Sequence, residues 1–198
     1  MRITGGQWCG RTLKVPSGDK VRPTQDRVRT ALFSMLATHF PGVAVLDLFA
    51  GAGTFGLDAL SRGATRVTWI ESDRQVASTL KANLAACTQG SDCPQAEICC
   101  SDALKWIQTV GIGRNYGIVF CDPPYRTITP ELFSGIAADL SRNRVIAPDG
   151  IFIGESASRT RPEPPEDWEA IRDREYGHTR IVLWRPSPHT QAKEVADV

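Results

Sequence analysis

In Val43-Ala44-Val45-Leu46-Asp47-Leu48-Phe49-Ala50-Gly51-Ala52-Gly53-Thr54 an apolar run passes directly into a glycine-spaced turn. Residues 43–48 carry the aliphatic density of a strand buried on both faces, and the glycines end it. A helix over about 54–62 follows, so the segment is a strand, a tight turn and a helix. That order opens a βαβ fold, with a ligand crevice outside the strand's carboxyl end.

The pattern repeats downstream. Arg66-Val67-Thr68-Trp69-Ile70-Glu71 is a second strand, and its helix carries Val76, Leu80 and Leu84 one turn apart. Residues 96–100 are a third strand, leading to a helix that begins near Asp102. Residues 117–121 are a fourth, with a helix that buries Leu132, Phe133, Ile136 and Leu140. Residues 150–154 are a fifth, and the chain ends in a hairpin over about 167–175 and 179–185 that turns at Tyr176-Gly177-His178. These units predict an α/β Rossmann-like domain, a mostly parallel seven-stranded sheet with helices on both faces. Upstream, Arg2-Ile3-Thr4 and residues 11–15 bracket Gly5, Gly6 and Gly10 and read as a short N-terminal β-hairpin, broken by Pro16-Ser17-Gly18. Thr24 reads as the N-cap of a helix carrying Val28, Ala31, Leu32, Met35 and Leu36. The expected layout is a hairpin extension at 1–20, one catalytic domain at 21–185 and a polar, disordered tail at 186–198.

Composition narrows the class. Of 198 residues, 41% are apolar and 23% charged, as in ordinary globular proteins. No apolar run approaches the ~20 residues of a membrane span, and the N-terminus lacks a signal's apolar region, so a cytoplasmic location is expected. Cys9, Cys87, Cys93, Cys99, Cys100 and Cys121 form no C-x-x-C pair and are accompanied by only three histidines, so reduced thiols and no metal site are expected. Residues 1–30 hold seven basic side chains against Asp19 and Asp26, while the rest of the chain is net acidic. A basic end on a near-neutral body suggests one localised polyanion contact.

Gly51, Gly53 and Gly56 spell G-x-G-x-x-G, the spacing that seats a dinucleotide pyrophosphate. Asp47 separates two readings of that turn. A carboxylate there repels a pyrophosphate and suits the cationic amino-acid end of S-adenosylmethionine. Glu71 ends the second strand, where an acid accepts hydrogen bonds from both ribose hydroxyls. Asp102 follows the third strand and can hold an adenine amino group, although alone it is equally a helix N-cap. With Phe49 and Ala103 beside them, Asp47, Gly51, Gly53, Glu71 and Asp102 form the expected cofactor site.

Asp122-Pro123-Pro124-Tyr125 closes the fourth strand. An amine conjugated to a base is a poor nucleophile because its lone pair is delocalised. Hydrogen bonds from that amine to the Asp122 carboxylate and the Pro123 carbonyl draw the nitrogen toward sp³ geometry and aim its lone pair. Two prolines make the loop rigid. Tyr125 offers a face for a flipped base. Asp122, Pro123 and Tyr125 are the candidate catalytic residues.

These residues, in this order, resemble class I S-adenosylmethionine methyltransferases that act on amines. Met1-Arg2-Ile3, Gly10-Arg11, Arg22-Pro23-Thr24 with Asp26-Arg27-Val28, and Ala31-Leu32-Phe33 are similar to the N-terminal signature of the bacterial 16S ribosomal RNA guanine-N2 methyltransferases, the RsmD family. Leu46-Asp47-Leu48-Phe49-Ala50-Gly51, Ala59-Leu60-Ser61-Arg62-Gly63-Ala64, Asp122-Pro123-Pro124-Tyr125 and Tyr176-Gly177-x-Thr179 continue the likeness over about residues 1–185. The resemblance implies methylation of N2 of one guanine in 16S rRNA, within the small subunit or its assembly intermediate. It also implies that Arg22, Thr24 and Arg27 border the active site and help hold RNA; Arg2 and Arg11 are the further RNA candidates, on a monomeric protein. Ser72 and Ser101 depart from the family's usual basic residue and glycine beside the cofactor contacts.

Three other readings share parts of this pattern. A DNA adenine-N6 methyltransferase uses the same loop but normally needs a separate recognition domain. A glutamine-N5 protein methyltransferase usually has Asn where Asp122 stands. A catalytically silent RNA-binding assembly factor would not need an intact cofactor crevice.

Overall fold

The computed structural model describes residues 1–15, 23–124 and 127–188, with the side chains of residues 23–25 left aside. The chain divides into two compact units, Met1–Ala103 and Leu104–Val198. The tail beyond residue 188 lies outside the described residues.

In the first unit the strands are β1 (Ala44–Leu48), β2 (Arg66–Glu71) and β3 (Ala96–Cys100), with helices α1 (Pro23–Met35), α2 (Thr54–Ser61) and α3 (Arg74–Thr88). All three strands run parallel, β1 pairing β2 and β2 pairing β3, with Asp47 opposite Trp69 and Glu71 opposite Cys100. Val45, Leu46, Leu48, Val67, Trp69 and Ile70 are fully buried, which accounts for the unbroken apolar runs. Asp73 caps α3 by accepting from the Gln75 and Val76 N–H groups at 2.7 and 3.0 Å. The face α3 turns inward is Ala77, Leu80, Asn83 and Cys87; Val76 and Leu84, expected on that stripe, are half-buried. A polar Asn83 takes an inward place because backbone groups meet it there.

The N-terminal segment differs from the expected hairpin. Its two arms meet in a single antiparallel bridge, Arg2 to Thr12, around a 3-10 turn at Gly6–Trp8. Hydrogen bonds from Ile3 N–H to Arg11 O, Gly10 N–H to Ile3 O and Leu13 N–H to Met1 O (2.9 Å each) hold the arms together. Longer pairing gives way to docking: Ile3, Trp8 and Leu13 are buried, Trp8 N–H donates to Ser61 Oγ, and the Ser61 hydroxyl donates to Gly5 O. Helix α1 begins at Pro23, which places Thr24 inside the first turn, past the cap position expected of it.

In the second unit, α4 (Ala103–Ile107) starts at the boundary and is followed by β4 (Tyr116–Cys121), α5 (Pro130–Arg142), β5 (Ile146–Ala157), β6 (Trp168–Tyr176) and β7 (Thr179–Pro186). β4 and β5 are parallel; β7 pairs antiparallel with both β5 and β6. β5 is longer than its apolar stretch because its ladder with β7 continues to Ala157 opposite Thr179. Helix α5 buries Phe133, Ile136, Ala137 and Leu140, and Phe133 meets Phe152 edge-on at 6.1 Å. The seven strands are mostly parallel, in the order β3-β2-β1 within the first unit and β4-β5-β7-β6 within the second, as expected of an α/β Rossmann-like domain. No helix among the described residues is long and apolar enough to cross a membrane.

Candidate functional site

The loop after β1 takes left-handed backbone at three of five positions: Phe49 (φ 57°), Gly51 (φ 56°) and Gly53 (φ 78°). Gly51 and Gly53 tolerate this freely. Phe49 does not, and a bulky residue held there marks a loop dictated by its surroundings. Ala50 N–H donates to Ile70 O at 3.0 Å, and Gly53 N–H to Ala50 O at 2.8 Å. Gly56 has a packing role: a Cβ there would come within 2.2 Å of the Trp69 indole nitrogen, so only glycine lets α2 lie this close to β2.

Two carboxyl groups organise the loop. Glu71, half-buried at the end of β2, accepts the Gly51 N–H at 2.9 Å and the Asp73 N–H at 2.8 Å, one on each oxygen. The carboxylate is thereby aimed, and each oxygen retains a lone pair for a ligand hydroxyl. Asp47 is deeper, 1% exposed, and accepts the Gly56 N–H at 2.9 Å. Burial pushes its carboxyl up to about 8, opposed by the Gly56 bond and reinforced by Glu71. Asp47 thus lies beneath the loop as a mostly protonated anchor of α2, whereas its sequence position suggested a charge presented to a ligand. Asp102 is exposed immediately before α4, and Ala103 is buried.

One residue at this site went unnoticed in the sequence. Asn83 of α3, 2% exposed, donates from Nδ2 to Ala52 O (3.0 Å) and Lys14 O (2.9 Å) and accepts the Lys14 N–H at Oδ1 (2.8 Å). Its signal was an amide on an otherwise apolar helical stripe.

The basic N-terminal residues divide into two groups. Arg29 is buried, donating to Asp58 at 2.7 Å, Asp26 at 2.9 Å and Arg2 O at 2.6 Å. Asp58, itself fully buried on α2, also accepts the Thr4 N–H and hydroxyl. Arg29 therefore belongs to a buried clasp, so one of the seven basic side chains of residues 1–30 faces protein and not a polyanion. Arg11 donates to the Ala86 and Cys87 carbonyls at the end of α3, a capping role. Arg2, 71% exposed, and the exposed Arg27 rim a groove of about 690 Å³ floored by Ile3, Thr4, Gly10 and Ala31. Arg22 and the Thr24 side chain lie outside the described residues.

In the second unit, β4 ends at Cys121; Asp122 is half-buried, Pro123 buried and Pro124 exposed. The Pro124 carbonyl accepts both the N–H (2.9 Å) and the hydroxyl (2.8 Å) of Thr127. Its acceptor capacity is used within the turn, which favours Pro123 as the carbonyl offered to an amine. Tyr125 lies outside the described residues. None of the six cysteines is in a disulfide, burial pushes the Cys87 thiol up, and no metal-ligand cluster occurs among the described residues.

A family model described as "Conserved hypothetical protein 95" matches residues 1–185. The chain is 37% identical over 186 residues to the ribosomal RNA small subunit methyltransferase D of Escherichia coli strain K12, covering 93% of this chain and 89% of that protein. The solved structure of the putative methyltransferase yhhF from Escherichia coli is 36% identical with a TM-score of 0.80, covering 94% of this chain and 98% of the other. The crystal structure of SMU.776, a putative methyltransferase complexed with SAH, shares the fold at a TM-score of 0.63 and 14% identity, over 83% of this chain and 50% of that one.

Proposed function

Because the chain belongs to the RsmD family of methyltransferases, we propose that it moves a methyl group from S-adenosylmethionine to the exocyclic N2 amine of one guanine in 16S rRNA. The substrate is the small ribosomal subunit or its assembly intermediate in the cytoplasm, and the enzyme acts as a monomer without a metal. The observation that carries this reading is the Glu71 carboxylate at the end of β2, aimed by the Gly51 and Asp73 amides beside a left-handed glycine loop.

These residues fit S-adenosylmethionine. Glu71 would hold the ribose hydroxyls, the loop from Phe49 to Gly53 would back the amino-acid end, and Asp102 and Ala103 would border the adenine. When bound, the cofactor supplies an electrophilic methyl on a sulfonium. The chain's own work is to make a weak nucleophile reactive. Asp122 and the Pro123 carbonyl would accept the two N–H bonds of the guanine amine and turn its lone pair out of conjugation; as the methyl exchanges its bond to sulfur for one to nitrogen, one of those protons is released to solvent. Positioning of this kind supplies much of the acceleration in a two-substrate transfer. Tyr125 stacks on the flipped base, whose extrusion costs a few kcal/mol. Arg2, Arg22, Thr24 and Arg27 contact RNA, and Arg11 supports them from the end of α3.

Mass spectrometry of 16S rRNA from cells lacking the gene tests the substrate: loss of one N2-methylguanosine is expected, and an unchanged profile refutes it. In the purified enzyme, Asp122→Ala should abolish transfer and leave S-adenosylhomocysteine affinity within about twofold, because its carboxylate serves the amine. Retained transfer would refute the assignment.

A further inference from the structure

Helix α3 carries two attachments that sequence distance conceals. On one side it holds the N-terminal segment, through Arg11 on the Ala86 and Cys87 carbonyls and through Asn83 on both backbone groups of Lys14. On the other it holds the glycine loop. Asn83 donates to Ala52 O, and a Cβ on Gly53 would lie 2.7 Å from the Leu80 side chain. Asn83 makes hydrogen bonds to both. Chemistry dictates its orientation, since the Lys14 N–H requires the amide oxygen and the two carbonyls require the NH2. Both Nδ2 hydrogens are spent, one on each partner. A shift of Ala52 thus costs the Lys14 contact, and a shift of Lys14 costs the loop contact, in a buried place where water offers no replacement.

We propose that Asn83 is a positioning residue that couples the cofactor loop to the N-terminal RNA-contacting segment, so that each ligand tightens the other's binding. The inference rests on the function proposed above, because it takes S-adenosylmethionine as the loop's ligand and RNA as the ligand of the segment. Lys14 stands six and eight residues ahead of Lys20 and Arg22. Seating a ligand on the loop orders Ala52 and through the amide orders Lys14, so the second ligand meets a segment whose ordering cost is already reduced. Linkage makes the effect reciprocal: RNA raises cofactor affinity by the same factor as cofactor raises RNA affinity.

The test uses the full chain, S-adenosylhomocysteine and small ribosomal subunits from cells lacking the gene. In the wild type, subunits should tighten S-adenosylhomocysteine binding by roughly 5-fold or more, the lower end of ordinary coupling. Asn83→Ala and Asn83→Asp should bring that factor to about one. A residue that merely supported the fold would lower Tm in these variants and leave the ratio unchanged. Asn83→Asp keeps the shape and the acceptor for the Lys14 N–H and loses the donors to both Ala52 O and Lys14 O, and a cooperative melt checks that it folds. Hydrogen exchange at the Lys14 amide needs no RNA. S-adenosylhomocysteine should slow it in the wild type and not in Asn83→Asp. Coupling that survives both substitutions, or a Lys14 amide indifferent to ligand in the wild type, would overturn the inference while leaving the proposed methyltransferase intact. Failure of the wild type to bind S-adenosylhomocysteine would overturn both.

Discussion

Replacing Asp47 by asparagine should reshape the dependence of stability on pH. Burial moves the Asp47 carboxyl from its ordinary 3.8 to about 8, whereas in the unfolded chain it titrates near 3.9. Between those values the folded protein keeps a proton that the unfolded chain has released. The unfolded state binds fewer protons, so stability falls as pH rises through this window, by at most about 1.4 kcal/mol per pH unit. From pH 5 to pH 8 the loss is about 3–4 kcal/mol, and it levels off once both states are ionised. The carboxamide of the Asp47→Asn variant would be neutral throughout and would keep an oxygen for the Gly56 N–H that Asp47 now accepts at 2.9 Å. Urea denaturation of both proteins at pH 5, 6, 7 and 8 checks this, with tryptophan fluorescence as the probe because Asp47 lies opposite Trp69 in the sheet. The expected result is a stability advantage of Asp47→Asn that grows with pH. An advantage that stays constant over this range would show that Asp47 is ionised in the fold and refute the reasoning. The same displacement predicts proton release when S-adenosylmethionine binds near pH 7, since with the cofactor seated as proposed its cationic ammonium would favour the carboxylate; calorimetry in buffers of different ionisation enthalpy reads it.

Arg29→Ala should destabilise the fold by about 3–5 kcal/mol, because it strands the fully buried Asp58 without its 2.7 Å partner. Arg27→Ala, on an exposed side chain, should leave Tm nearly unchanged and weaken RNA binding; equal melting shifts for the two variants would dismiss the clasp. Gly56→Ala should cost about 1–3 kcal/mol by overpacking, as its methyl meets the Trp69 ring and the Val67 side chain. Unchanged urea midpoints in that variant would mean α2 is less tightly seated than its geometry implies.

The sheet was legible because parallel strands buried on both faces must be nearly continuous runs of apolar residues, as in 43–48 and 117–121. The glycine turn after β1 was legible for a related reason, since the left-handed backbone at Gly51 and Gly53 permits few residue types. Partner identity was not legible. Arg29 stands in the same basic run as Arg27, and nothing local separates a solvated guanidinium from one whose carboxylate lies at Asp58, 29 residues away. Asn83 is hidden in the same way: the apolar period of α3 suggests Val76, Leu80 and Leu84, and the helix is rotated from that stripe by backbone groups of residues 14 and 52. Asp47 interrupts an apolar run in the sequence, but its depth is a property of packing. The N-terminal arms alternate like a hairpin, yet their side chains are spent on docking to α2 and α3.

That docking also limits how RNA can be held. Of the seven basic side chains in residues 1–30, Arg29 is committed to Asp58 and Arg11 to the end of α3. At most five N-terminal cations are then left for phosphate, and Arg2 among them lies 3.8 Å from the Asp26 carboxylate. With about 0.7–0.9 counterions released per phosphate neutralised, five cations support a slope of log K against log salt no steeper than roughly −4.5. Such a contact gives modest affinity and no choice among sequences, since phosphates are alike. Under the proposed function, selection of one guanine would have to come from the folded surface around it, which favours an assembled or assembling subunit over naked RNA. Binding measured across a salt series from roughly 50 to 300 mM should therefore show a slope no steeper than about −4.5 for the subunit, and much weaker binding for a short hairpin bearing the target sequence. A slope near roughly −8, or equal affinity for hairpin and subunit, would place the principal RNA grip elsewhere on the protein.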